Sequence, residues 1–304
     1  SVQLQNIFTA RLLMKPVKDA DLLGTEAKNS YKEQRQERTT STKAQKGEAL
    51  KSPKIAVRIH PARTSNGEFI KDMRNAVETV DGEEMNLHMI TFDTELDNTV
   101  KTQKGGQWID KMTLELKAFH NEEDGQHYAN LDSVTGMFRV YWNIITTGTQ
   151  QALSHKVSES TFATGLATRL AVIPVPPTNF KMMPLRKHTN KPSADDATLT
   201  RWAYLMDKRH GELPLWKLVE HCWHWTDDHM EMAGFSQDKA DEMLIKRVAH
   251  YGINISAPYV DMRHWDEREK TGTYDIDDTD RRLCSLALDI QYRCQHHYFG
   301  EYDS

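Results

Sequence analysis

The segment Met89-Ile90-Thr91-Phe92-Asp93-Thr94-Glu95-Leu96-Asp97 carries the sharpest chemical pattern in the chain. An apolar run of strand length delivers carboxylates at its C-terminal end, the place where open α/β sheets bind ligands. An acid there can hold Mg2+, directly or through water, and a second acid can polarise an attacking water. Alternation along extended chain puts Asp93 and Glu95 on one side and Thr94 on the other. Acidic turns also follow strands that bind nothing, so the pattern needs company. Two downstream segments supply it. Trp142–Thr149 is another apolar run, ending in small polar groups and Gly148. A hydroxyl or amide beside the acidic strand can sense a terminal phosphate and orient water. Thr147 and Asn143 are therefore sensor candidates, the plain alternative being a strand capped by a Thr-Gly turn. Thr161–Leu170 sets Arg169 on a short Gly-containing segment just before a predicted strand. A guanidinium so presented can neutralise phosphoryl charge on a neighbouring subunit's nucleotide, or simply make a surface salt bridge. Thr64, Ser65 and Asn66 close a third strand end. That place suits contact with nucleotide or DNA, and Ser and Asn equally suit a helix N-cap.

One expected part is missing. No G-x-x-x-x-G-K-[ST] loop occurs in the chain, so no backbone cradle for β- and γ-phosphates is encoded in it. Ser1 opens a helix of the kind that follows such a loop, which places the phosphate loop upstream of Ser1.

These groups need a scaffold to position them. Val2–Val17 reads as a helix through Leu4, Ile7, Phe8, Leu12 and Met14. Residues 24–54 hold eight Lys or Arg against four acids and a single aromatic, Tyr31. That is a solvated helix or linker with too little apolar surface for core. Ile55–Ile59 is a strand candidate ending at His60-Pro61. Asn66–Val80 reads as a helix, with Phe69, Ile70, Met73 and Val77 on one side. Leu87–Phe92 is a second buried strand, and Trp108, Met112, Leu116 and Phe119 mark another helix. Gln126–Ala129 and Met137–Tyr141 can pair as a hairpin. Val140–Thr147 continues as a strand, and Leu170–Val175 is a last one before the prolines at 174, 176 and 177. Strands alternating with helices predict a mostly parallel sheet with helices on both faces. Residues 195–250 and 277–299 read as helical, with Trp202, Leu205, Trp216, Leu218, Trp223 and Trp225 supplying core. The expected organisation is an α/β core over 1–178, a Pro-rich linker over 179–192 and a helical domain over 193–304.

Composition agrees with two regions of different character. The 304 residues carry a net charge of −5. Residues 193–304 hold 13 basic and 22 acidic side chains, a net of −9, which leaves +4 on residues 1–192. No run approaches the ~18 apolar residues of a membrane-spanning helix. Three cysteines (Cys222, Cys284, Cys294) are too few for a disulfide framework and point to a reducing, cytoplasmic compartment.

The order of these motifs resembles a helicase-like P-loop ATPase family of unknown function. Its members occur in gut-bacterial genomes, phages and mobile elements, often joined to primase-type domains. The residues that carry the resemblance are Ile55–Asn66, Phe92–Asp97, Lys117–Glu122, Thr147-Gly148-Thr149 and Gly165–Leu170, with Gly211–Pro214, Thr271-Gly272-Thr273 and Asp277–Tyr298 in the tail. It implies a RecA/AAA-like fold, here incomplete at its N-terminus, and ATP with Mg2+ as cofactors. It also implies single-stranded DNA, a primase domain or partner, and a homo-oligomeric ring as associations. Carried over by position, Glu95 becomes the catalytic Walker B acid and Asp93 the Mg2+-side acid. Thr147 or Asn143 becomes the sensor, Arg169 the arginine finger, and Ser1, Thr64 and Asn66 nucleotide contacts. The fragment would lack activity without its upstream loop.

Other constellations say less. His221, Cys222, His224 and His229 lack structural zinc spacing and sit among tryptophans, as in a packed helix. The tryptophan-rich tail could stack bases, but its negative charge favours core or subunit packing. Two rivals to the ATPase stand: a metal-dependent nuclease using Asp93, Glu95 and Asp97, and a non-catalytic DNA- or protein-interaction module.

Overall fold

The structure is a computed structural model that describes residues 14–40, 50–61, 64–80, 82–93, 96, 111–127, 135–175, 197–198, 200–202, 205 and 212–302. The chain divides into two compact units, Ser1–His155 and Lys156–Ser304. Together they make a mixed α/β chain with a small parallel sheet and many helices.

The first unit begins with helix α1 (Met14–Thr40). Strand β1 (Ile59–Pro61) and helix α2 (Asn66–Asn75) follow, then a hairpin of β2 (Val77–Val80) and β3 (Glu83–Asn86). Next come strand β4 (Met89–Asp93), helix α3 (Lys111–Ala118), and a second hairpin of β5 (Glu123–Gln126) and β6 (Gly136–Arg139). Strand β7 (Trp142–Thr146) and helix α4 (Gln150–Lys156) close the unit. The three-stranded sheet has the order β1-β4-β7 and is parallel throughout. Its register pairs Met89 with Trp142 and Asp93 with Thr146. Phe69, Ile70 and Met73 form the apolar stripe of α2 and pack with Met89, Trp142, Phe138, Val140 and Leu114. Trp142 Nε1 donates to Thr91 Oγ1 at 2.9 Å, so two buried polar atoms of the core satisfy each other.

Several boundaries depart from the sequence expectations, each for a local reason. Ile55–Ile59 is not a strand over its length, because pairing starts only at Ile59. Ahead of it the Asp21 carboxylate accepts the amides of Arg58 and Ile59, both at 2.7 Å, in place of a ladder partner. The helix from Asn66 stops at Asn75 rather than Val80. Val77–Val80, β-branched at Val77, Thr79 and Val80, turns back through Gly82, at φ 87°, to pair with β3. In α3 the buried apolar residue is Leu114 and not Met112, while Trp108 lies outside the described residues. The hairpin forms, but as Glu123–Gln126 against Gly136–Arg139. Leu170–Val175 is no strand. The Leu170 carbonyl is taken by the Gln295 amide at 2.9 Å, and Ile173 and Val175 are exposed. The helix expected over Val2–Val17 falls outside the described residues except where α1 begins. The solvated helix expected over 24–54 is present to Thr40 and mostly exposed, yet Asp21, Gly24 and Lys28 on one side of it are buried.

The second unit starts with the short helix α5 (Glu159–Phe162) and a 3-10 turn at Ala167–Arg169. Its body is α6 (Trp216–Ser236), α7 (Lys239–Arg263), α8 (Trp265–Thr271) and α9 (Asp278–Phe299). Leu218, Cys222, Trp225, Ile245, Val248, Val260, Tyr274, Ile276, Cys284 and Leu288 form one continuous core. Helices α7 and α9 meet at Gly252, where an added β-carbon would lie 2.6 Å from Leu288 Cγ, so only glycine permits this approach. Asp277 caps α9 by accepting the amides of Thr279 and Asp280. Leu218 and Trp225 are core as expected, whereas Trp216 and Trp223 are 76% and 72% exposed. Among the described residues no helix is long and apolar enough to cross a membrane.

Candidate functional site

Because β1, β4 and β7 are parallel, their C-terminal ends share one edge of the sheet. The central strand β4 ends there on Asp93. Beside it the Thr147 amide donates to the Asp93 carbonyl at 2.9 Å, and the Leu96 amide donates to the Thr147 carbonyl at 3.0 Å. These two bonds latch the segments after β4 and β7 together. Gly148 lets them close: a β-carbon there would lie 2.8 Å from Leu96 Cβ. Glycine is therefore required here by packing. Thr149 Oγ1 accepts the Ala152 amide at 3.1 Å and caps α4.

On the other flank, β1 ends beside Thr64, Ser65 and Asn66. Ser65 is the N-cap of α2, accepting the Glu68 amide. Thr64 turns inward, its Oγ1 3.1 Å from His60 Nδ1. Register and alternation put His60, Thr91, Asp93 and Thr146 on the same face of the sheet.

The structure thus brings Asp93, Thr147, Thr64 and Asn66 to one edge. It does not bring Asn143 there. Asn143 pairs with Ile90 near the opposite end of the sheet, and its Nδ2 lies 3.1 Å from His88 Nδ1. Burial, with help from the Arg58 charge, lowers the His88 pKa and favours the neutral ring that can accept this bond. Glu95, Asp97 and Ser1 lie outside the described residues. Arg169 belongs to the second unit, and no strand follows it among the described residues.

Sequence reasoning missed a buried polar network in the first unit. His60 Nε2 lies 2.9 Å from Asp72 Oδ2, and Lys28 Nζ pairs with the other Asp72 oxygen and, at 2.8 Å, with Glu68. Asp72 is 1% exposed and His60 4% exposed, with the Phe69 ring packed edge-on against the imidazole. Hydroxyl, imidazole and carboxylate stand in line, with His60 Nε2 close to the carboxylate but outside hydrogen-bond geometry. They are also the means by which α1, α2 and β1 are joined. The signal was present as Asp21, Gly24 and Lys28 on one side of a polar helix. A β-carbon at Gly24 would lie 2.9 Å from Ile55 Cγ2, which marks this side as a docking face.

In the second unit Arg169 Nη1 donates to the Gly165 carbonyl at 3.0 Å. Arg247 Nη1 donates to Thr168 Oγ1 at 2.9 Å. A β-carbon at Gly165 would lie 2.9 Å from Arg169 Nη1 and 3.1 Å from Arg247 Nη1, so both guanidiniums pack against this turn. His221 Nε2 lies 2.8 Å from Ser285 Oγ, and His229 stacks on Trp225, so these histidines bind α9 and their own helix. The Sγ atoms of Cys222 and Cys284 are 3.3 Å apart in the core. His264, Asp277 and Asp280 also gather closely enough to share a cation. The Arg263 guanidinium already holds both carboxylates, which keeps the Asp277 carboxyl well below the usual carboxylate range.

Compared with protein-family models, curated proteins and solved structures, the chain matches none.

Proposed function

We propose that the first unit is the nucleotide-facing part of a P-loop-type, helicase-like ATPase that works on DNA in the replication or mobilisation of a bacterial mobile element or phage, in a cytoplasmic setting. One observation carries this reading: the central strand of a parallel sheet ends on Asp93, latched by backbone bonds to Thr147. Asp93 and Thr147 then lie on adjacent segments at the sheet edge where α/β proteins place phosphates.

The donor chemistry fits Mg2+ on one side only. The Asp93 carboxylate is a hard oxygen ligand of the kind Mg2+ takes. The chain contains no phosphate-loop motif for the β- and γ-phosphates. Bound Mg2+ supplies charge neutralisation for phosphoryl transfer. In this scheme Asp93 orients the metal side, Glu95 polarises water, Thr147 positions that water, and Arg169 acts from a neighbouring copy in a ring.

The test is Mg-ATP binding and turnover by the chain joined to an upstream phosphate-loop segment, and by variants of that longer protein. Asp93→Asn should weaken Mg-dependent ATP binding about tenfold. Glu95→Gln should bind ATP yet lose about 100-fold or more in turnover. Wild-type turnover in Glu95→Gln would remove that role. Metal-dependent DNA cleavage without ATP, lost in Asp93→Asn, would replace the ATPase by a nuclease. Absence of nucleotide binding would leave an interaction module.

A further inference from the structure

We propose that Cys222 and Cys284 form an oxidisable pair that closes into a disulfide and pins α6 to α9. The two cysteines stand on different helices, 62 residues apart in sequence, with their Sγ atoms 3.3 Å apart. A disulfide bond measures about 2.05 Å, so the sulfurs need to approach by only about 1.3 Å. Both side chains are buried in the core of the second unit, among Leu218, Trp225, Ile245 and Leu288. Close packing on all sides holds them in this facing arrangement.

The two thiols are not equivalent. The hydrogen bond from Cys222 favours the Cys284 thiolate, and the Ser256 hydroxyl adds to this while burial opposes it. The outcome is a Cys284 thiol more acidic than an ordinary one. The same bond, together with burial, raises the Cys222 pKa and keeps its proton in place. Cys284 is therefore the attacking sulfur and Cys222 the resolving one. A core site admits only a small oxidant, through local opening of the helices, which makes hydrogen peroxide the fitting class. Cys284 Sγ attacks one peroxide oxygen, the O–O bond breaks, and the leaving hydroxide takes the Cys284 proton as water. Cys222 Sγ then attacks the sulfenic sulfur of Cys284. The S–O bond breaks, and the departing hydroxide takes the Cys222 proton as a second water. The two sulfurs lose two electrons and the peroxide gains them. Cys294 supplies an internal control: it is half-buried, has no thiol partner, and its pKa is raised by burial.

The inference stands apart from the ATPase reading, because it involves neither nucleotide nor Asp93. The 304-residue chain is treated with hydrogen peroxide, remaining thiols are alkylated, and the protein is digested without reductant for mass spectrometry. The expected product is a linked Cys222–Cys284 peptide with Cys294 alkylated, so that free thiols fall from three to one. Dithiothreitol should restore all three. The folded arrangement should form this bond at least about tenfold faster than the chain unfolded in urea. The bond closes a long loop, so the urea midpoint of the oxidised protein should rise. Cys222→Ala should abolish that rise, and Cys294→Ser should leave both the linked peptide and the rise unchanged. If Cys222→Ala does not fold, the peptide map of Cys294→Ser, with both core thiols intact, decides the matter. The proposal is overturned if the folded chain keeps all three thiols, or if Cys294 enters the bond. It is equally overturned if the core sulfurs pass to sulfinic acid without a link, or if the link forms only in urea.

Discussion

The two units solve the same packing problem with opposite materials. The second is an apolar core between long helices, closed by Leu288 against Gly252. The first has short strands, and its longest helix is attached by charge, with Asp21 on the amides of β1 and Lys28 on Asp72. Apolar packing is tolerant, because many small contacts share the load. A buried ionic network is not, because removing one member leaves another charged and unpaired. The attachment of α1 in the first unit therefore rests on a few side chains, while the second unit spreads its helix packing over a surface.

The sharpest way to break this contrast is Asp72→Ala. It leaves Lys28 with Glu68 alone and His60 without its carboxylate in the interior, and we expect a loss of about 3–5 kcal/mol. Urea unfolding measures the size, and hydrogen exchange should report opening first in α1 and α2. Exchange that rises only in the second unit would contradict this picture. Gly252→Ala is the matching test there. Overpacking against Leu288 should cost about 1–3 kcal/mol, with exchange rising along α7 and α9.

The smallest effect is a pH dependence that His264 contributes in the second unit. Burial alone would lower the His264 pKa, but hydrogen bonds to Asp280 and Glu267 outweigh it and raise the pKa above its ordinary 6.5. A group raised in the folded state binds its proton more tightly there than in the unfolded chain. Its contribution is therefore complete below about pH 6.5 and disappears as pH climbs through the raised folded value. The urea midpoint should fall modestly over that window, and His264→Gln should flatten the fall.

The same contrast explains what the sequence made legible. Helices of the second unit were visible because apolar residues recur at helical spacing, as in Leu218, Cys222 and Trp225. The exposure of Trp216 and Trp223 was not visible, since type alone does not say which side of a helix meets solvent. In the first unit Leu87–Phe92 was legible as a strand because Leu87, Met89, Ile90 and Phe92 crowd four apolar side chains into six residues. The edge position of Asp93 and Thr147 follows from two such runs lying parallel. The break at Asn75, the start of β1 and the His60–Asp72–Lys28 network were hidden, because polar contacts between residues some 40 apart leave no periodicity. Asn143 stands far from Asp93 because register, which a single strand does not encode, sets it beside Ile90.

The Asp21 carboxylate has one more effect. β1 lies at the margin of its sheet, and a margin with unused amides is an invitation for a strand from another molecule. By occupying the amides of Arg58 and Ile59, the acid on α1 acts as a stopper at the head of that strand. A chain that lost it would expose a sticky border, and its first symptom would be self-association at high concentration, before any change in chemistry.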